Sequence, residues 1–548
     1  MKKFVFALVA MMLAAAVWAE GDQIRSFELL SRTQAEDPTE FQAAQLVAQE
    51  WRKLGLDVEH KAIPWEQLAQ VVWFDRDPPD WDMTMWRMVG RPERSDPDEL
   101  IYNLFHSSTA DAGYNFIAYS NPEYDAVVEA QRVETDPDAR QALIIQAQEI
   151  LDRDQPNAFL VHPQQAYAYR SDIWDPATVV EQSGIGIKNF WTFVDAAPLT
   201  DQRDMILNSG VVVQAINPLY ISGATDSWIT ELIWDRLLRI SPEGLAEPWA
   251  AESYNWVDDT TIDVTLRSGM TWHDGEPVTV EDVVFSFQAP QGDESPMYKP
   301  FVSGIADIAA LDENTVRFTL SQPSAAFLTA TLAKINLVPL HIWGPILDDL
   351  STKDENAESY QEEIPIGSGP FKYVNWLRSQ EVVLEANTEH FSAPEIDRWI
   401  LRIIPNAEAS LGMLRSGELN FLSGYLGDPQ VLVQTSEGQP IDVVASTEVG
   451  FRYVAFNHRA APFDDPAFRR ALSLALNRNF FVQAAYKGFA VPSNSPVSTA
   501  LGFWTAPGIT DLETGIELAK GILAEAGYTL DGRGRLHYPD GVTEQHGN

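Results

Sequence analysis

The chain has 548 residues, 45% hydrophobic and 21% charged, which is too long for one ordinary core and implies two or three packed lobes of a soluble protein. Lys and Arg number 38 against 79 Asp and Glu, and the net charge of −41 repels phosphate backbones and anionic membranes, excluding nucleic acid as a partner. There is no cysteine, which excludes disulfides, thiolate metal sites and a cysteine nucleophile.

Residues 1–19 read as an export signal. Lys2 and Lys3 form the positive start, Phe4 to Val17 the apolar run, and Val17-Trp18-Ala19 the cleavage site, so the mature chain is expected to begin at Glu20. The run is too short for a spanning helix. A lipid anchor needs a cysteine just after cleavage, so a protein free in the periplasm is expected.

Glu40 to Leu54 has the period of an amphipathic helix, with Phe41, Ala44, Val47, Trp51 and Leu54 on one face and Gly55 as its stop. Leu56 to Glu59 alternates as a strand. Asp136-Pro137 opens a second helix that ends near Gln155-Pro156. The segment 195–204 is polar, Pro-bearing and aperiodic, and reads as a linker. Thr260 to Leu266, Thr315 to Leu320 and Glu381 to Glu385 alternate as strands. Thr279 is placed to cap a helix whose first turn holds Glu281 and Asp282. Asp465-Pro466 opens another helix. Helix and strand patterns alternate, so the fold class is α/β.

Enzyme motifs are missing. There is no Gly-x-Ser-x-Gly elbow, no His-Glu-x-x-His and no Walker loop, and the nine histidines are scattered. His273-Asp274-Gly275 reads as a strand-end turn rather than a catalytic or metal pair, and Gly367-Ser368-Gly369 as a tight turn. No cofactor is expected. A secreted hydrolase is the alternative from another functional class.

Several segments together resemble the family-5 extracellular solute-binding proteins of ABC importers, which include dipeptide, oligopeptide and nickel binders. They are Leu245–Tyr254, Leu266–Gly275 with Val280–Phe287, Gly367–Trp376, Phe463–Arg478 and Tyr119–Asp125 with Ala147–Leu151. Their order differs from the family's. Residues 22–195 resemble its last third and 204–548 its first two thirds, as in a circular permutation with 195–204 joining the ancestral termini. Strands at Ser26–Leu30 and Gly534–Tyr538 are then expected to pair antiparallel, and Phe193 to lie near Met205.

The resemblance implies a two-lobed periplasmic-binding-protein fold of the large, cluster C-like type, with the ligand cleft between lobes. One lobe would be 166–450 and the other 20–165 plus 451–548, with hinge crossings near Ala166 and Gly450. It implies a monomer that captures a small-molecule solute and presents it to an ABC permease in the inner membrane. Peptide is the leading solute class and oligosaccharide the next. In peptide-binding relatives a carboxylate three residues after a Trp pairs with the ligand amine. Here the matching residue is Trp86, and Val89 stands where that Asp would be, so the anchor is either moved to Glu93 or Asp96 or absent. Arg87, Arg91 and Arg94 offer guanidinium forks instead. The expected ligand-binding residues are Trp86, Arg91, Trp228, Tyr453 and Asn457.

Overall fold

The computed structural model describes residues 21–75, 80–90, 92–110, 113–221, 223–293, 295–353 and 355–542. The expected signal segment and Arg91 lie outside the described residues. Among those described, no helix is long and apolar enough to cross a membrane.

Helices start where a short polar side chain replaces the missing intrahelical acceptor. Asp37, Asn121, Asp136, Asp428 and Asp465 each accept a hydrogen bond from the first turn, and each is followed by proline. Thr279 and Asp282 form a reciprocal capping box at the helix Val280–Gln288.

The first strands are β1 (Phe27–Ser31), β2 (Val58–Ala62), β3 (Met83–Met88), β4 (Asn157–Arg170) and β5 (Asp204–Ser209). Short β6 (Leu238–Ile240) and β7 (Ala246–Pro248) pair with each other. Next come β8 (Ala251–Asp258), β9 (Thr261–Leu266), β10 (Ile305–Ala310) and β11 (Thr315–Leu320). They make a separate antiparallel sheet ordered β10-β11-β9-β8. The remainder are β12 (Phe371–Leu377), β13 (Glu381–Ala386), β14 (Arg398–Ile403), β15 (Phe421–Leu422), β16 (Ile441–Thr447) and β17 (Phe451–Phe456). Last are β18 (Ala490–Pro492), β19 (Thr529–Leu530) and β20 (Leu536–His537).

A mixed sheet of 12 strands runs in the order β12-β13-β14-β5-β15-β4-β17-β3-β1-β2, with β16 and β18 also paired to β4. The long strand β4 pairs with β17 at its start and with β16 along its second half. One hydrophobic core gathers residues between Tyr167 and Phe421. Two others flank the opposite end of the sheet, one per face. Leu29, Met85, Val454 and Phe456 point into the first, and Leu30, Trp86, Tyr453 and Ala455 into the second. Helices cover both faces, so β1, β3 and β17 are apolar almost without interruption.

The chain ends meet differently from the expected hairpin. β1 is hydrogen-bonded on both edges, parallel to β2 and to β3, so it has no edge left for the tail. The tail pairs just upstream: Ile24 N–H donates to the Leu536 carbonyl at 3.0 Å and Tyr538 N–H to that of Asp22 at 3.0 Å. Gln23 and His537 form an antiparallel bridge. Phe27 and Leu536 still share one core, and Phe193 and Met205 share another. The segment between these last two leaves the helix Phe190–Asp195 and enters β5, with Ala197 O accepting from Asp175 N–H at 3.0 Å.

Candidate functional site

Strand direction locates the site. Strand β3 is antiparallel to β17, which is antiparallel to β4, so β3 and its parallel partners β1 and β2 advance toward the point where β4 leaves β17 for β16. Strand β15 is antiparallel to β4 and parallel to β5, itself parallel to β14. These three advance on the same point from the other side. Ligands of open α/β sheets bind outside the carboxyl ends of strands, and here two sets of carboxyl ends face one another.

The floor between them is the second crossing, from β16 to β17. Glu448 N–H donates to Pro163 O at 2.9 Å, and the buried ring of His162 bonds through Nδ1 to Gly450 O at 2.9 Å. Burial lowers His162 to a pKa of about 4, so it is neutral at pH 7. A Cβ on Gly450 would overlap the Met88 carbonyl oxygen and sit 2.5 Å from Gly90 N, so the crossing passes the end of β3 only as glycine.

At the ends of β1 and β2, the Arg32 guanidinium lies 4.3 Å over the ring of Trp65, which is 39% exposed. Trp65 in turn covers Trp86 at 5.2 Å, and Trp73 stacks on Trp86 at 5.8 Å. Asp37 binds Arg87 at 2.9 Å and reaches Arg32 at 3.9 Å. Buried Glu40 accepts from Arg32 N–H, and burial pushes its carboxyl up.

The opposite rim is apolar. Val211 follows β5 and Leu426 follows β15; both are exposed, and Leu426 lies across Gly210. Near the crossing Lys188 holds its ammonium 3.6 Å over the half-buried Trp228 ring. Burial lowers Lys188 to about 7, against the attraction of Glu448.

The expected site residues separate in this geometry. Trp228 is half-exposed, with the Lys188 ammonium over its ring. Trp86 is 4% exposed, beneath Trp65 and Trp73. Tyr453 packs between Phe159 and Phe451. Asn457 is spent internally, its amide donating to Trp81 O at 2.9 Å and its oxygen accepting from Arg459 N–H. Arg91 is outside the described residues. Asp96, a candidate amine anchor, takes Arg140 in a bidentate pair at 2.6 and 2.9 Å, and Thr329 adds a third bond. Arg94 pairs with Glu99.

Sequence reasoning missed Arg32, Trp65, Lys188, Glu448 and Leu426. Leu426 carried a usable signal, since it comes just after the apolar strand β15. Nothing local marked Lys188.

His273 acts as the expected turn. Its Nδ1 accepts from Gly367 N–H at 3.2 Å and its other nitrogen bonds Gly369 O at 3.0 Å, joining two of the motif segments. Among the described residues no cluster of three or more His, Asp or Glu is disposed to hold a metal ion.

Residues 7–112 and 246–545 match the family described as bacterial extracellular solute-binding proteins, family 5 Middle. The chain belongs to this family. It is 27% identical over 339 residues to the oligopeptide-binding protein AppA of Bacillus subtilis, covering 59% of each chain. It is 25% identical over 342 residues to the dipeptide-binding protein of Escherichia coli, covering 57% of this chain and 61% of that one. The chain thus spans about three fifths of the length of these curated relatives. A solved structure of Bacillus subtilis AppA in complex with a nonapeptide aligns with 24% identity and a TM-score of 0.43, over 63% of this chain and 67% of that one.

Proposed function

We propose that the chain is the periplasmic solute-binding component of an ABC importer, capturing a peptide or peptide-like solute and delivering it to a membrane permease. One observation carries the reading: the carboxyl ends of β1, β2 and β3 and those of β5, β14 and β15 converge on the crossings from opposite sides. In this reading residues 20–165 with 451–548 make one lobe and 166–450 the other. The crossings near Ala166 and Gly450 are the hinge, and solute shifts an open–closed equilibrium without being converted. The mature chain, starting at Glu20 without a lipid anchor, works as a monomer.

We read the segment order as a circular permutation of the family's. Support comes from the meeting of Asp22–Ile24 with Leu536–Tyr538, which would stand where the ancestral chain was continuous. The shared core of Phe193 and Met205 supports the linker 195–204 as the new join.

A thermal-shift screen over peptides and oligosaccharides tests the function. A solute held at one hundred times its dissociation constant is expected to stabilise the chain by about 2.7 kcal/mol. The solute should be recovered intact, and multiple-turnover product formation would overturn the reading.

Trp65, 39% exposed between the Arg32 guanidinium and Trp86, favours oligosaccharide as a second solute class, because sugars pack against aromatic side chains left partly open to a cleft. With either solute, Trp65→Ala is expected to weaken binding by about 1–3 kcal/mol while Trp86 keeps the fold beneath it. Unchanged affinity in a folded variant, measured by calorimetry, would remove Trp65 from the site.

A further inference from the structure

We propose that Lys188 is the anion-binding residue of the cleft, receiving a carboxylate of the solute while Trp228 supports its side chain from below. This rests on the solute-binding reading above. Among the described residues the Lys188 ammonium has no hydrogen-bond or ion-pair partner; what it touches is the face of Trp228 at 3.6 Å. An ammonium has three donors and no acceptor, and a half-buried one with its donors unspent is costly to keep. The nearest acidic influence is Glu448, which lies beyond ion-pair distance. The cations at the ends of β1 and β3 are differently placed, since Arg32 and Arg87 share Asp37.

The backbone fixes Lys188 at the cleft floor. The loop before it closes on itself, with Gly186 N–H donating to Gln182 O at 2.9 Å and Gln182 N–H to Gly186 O at 3.1 Å. It is tied to the crossing by Val449 N–H, which donates to Gly184 O at 3.3 Å. On the other side Asn189 donates to Val180 O at 2.7 Å and to Gly186 O at 2.5 Å. Lys188 therefore sits on a braced loop beside the crossing, within electrostatic reach of Glu448, and an arriving carboxylate would draw it fully into the ammonium form. A carboxylate there would make charge-assisted hydrogen bonds in a partly desolvated setting, where they are strongest. The field of a chain with net charge −41 gives such a local cation a specific task, because nothing at long range attracts an anionic group.

The test titrates the mature full chain and its K188M and K188R variants by calorimetry with pairs differing only in a carboxylate. The probes are trialanine and trialanine amide, galacturonate and galactose, and butyrate and butyramide. In at least one pair the acid is expected to bind about tenfold to a hundredfold tighter than its partner without the carboxylate. That preference should persist in K188R and vanish in K188M. If circular dichroism finds K188M unfolded, K188Q carries the same comparison. An acid preference that survives in K188M, or no acid preference in any pair, overturns the proposal. A Lys188-dependent preference for galacturonate without trialanine binding keeps the proposal and overturns the peptide reading. Equal binding of trialanine and its amide, with no acid preference in the other pairs, does the reverse.

Discussion

Replacing Arg140 with methionine is expected to lower the unfolding free energy by about 3–5 kcal/mol at pH 7, the cost of leaving a buried carboxylate without its partner. Arg140 and Asp96 are both buried, and the guanidinium meets the carboxylate in two hydrogen bonds. Burial alone would raise the Asp96 pKa, but the Arg140 charge and the bonds from Arg140, Asp98 N–H and Thr329 outweigh it and hold the carboxyl below its usual range. The sign follows. A depressed folded value stabilises the native chain above the ordinary aspartate pKa, and that contribution is lost as pH falls through the folded value. In Arg140→Met the balance reverses, since only burial and the remaining bonds act on Asp96. Its carboxyl protonates more readily, so the deficit against the unaltered chain should shrink between pH 7 and pH 4. Urea unfolding at several pH values reads both effects. A loss under 1 kcal/mol at pH 7, or one independent of pH, would mean the pair is not the brace described.

The second large effect is expected at Gly367. A Cβ there would overlap the carbonyl oxygen of Ile233 and come within 2.6 Å of its carbonyl carbon. These are backbone atoms at the end of the helix Ala224–Ile233, so no side-chain rotation relieves the clash. The turn is also held in place: Gly369 N–H donates to Ile233 O at 2.8 Å and His273 N–H to Gly367 O at 2.8 Å. Gly367→Ala should therefore cost about 3 kcal/mol by denaturant titration. It should also weaken solute binding, because the displaced helix carries Trp228. Gly412→Ala is the control. That glycine is exposed within the helix Ala407–Ser416 with nothing near its Cβ, so the change should be neutral or stabilise by up to about 1 kcal/mol. A Gly367→Ala chain as stable as the control would show that the turn yields.

Such turns and caps explain which features were legible in the sequence. The helices opened by Asp136-Pro137 and Asp465-Pro466 start where expected, because a cap and its acceptor are neighbours in the chain. The strand Thr315–Leu320 is also as expected, since alternation marks a strand with one covered face. Alternation fails on β17, which is covered on both faces. Tyr453 was expected to face a cleft, yet both sides of its strand are core. Trp86 misled for a related reason. The rings that cover it, Trp65 and Trp73, come from a segment whose approach no local pattern discloses. Pairing of the chain ends was anticipated in place but not in register, because the two parallel neighbours that occupy β1 are set by the whole sheet.

The position of β17 between β3 and β4 has a consequence in time. His162 and Gly450, which touch at the crossing, are 288 positions apart. An exported chain folds as it emerges across the membrane, N-terminal end first, so β17 arrives only after that whole interval has passed. Throughout it the nascent segments of β3 and β4 lack the strand that satisfies their facing edges, and open strand edges are templates for mispairing. The stretch from β5 to β16, by contrast, is synthesised in one unbroken run. One end of the sheet can thus assemble as it emerges, while the other waits for β17.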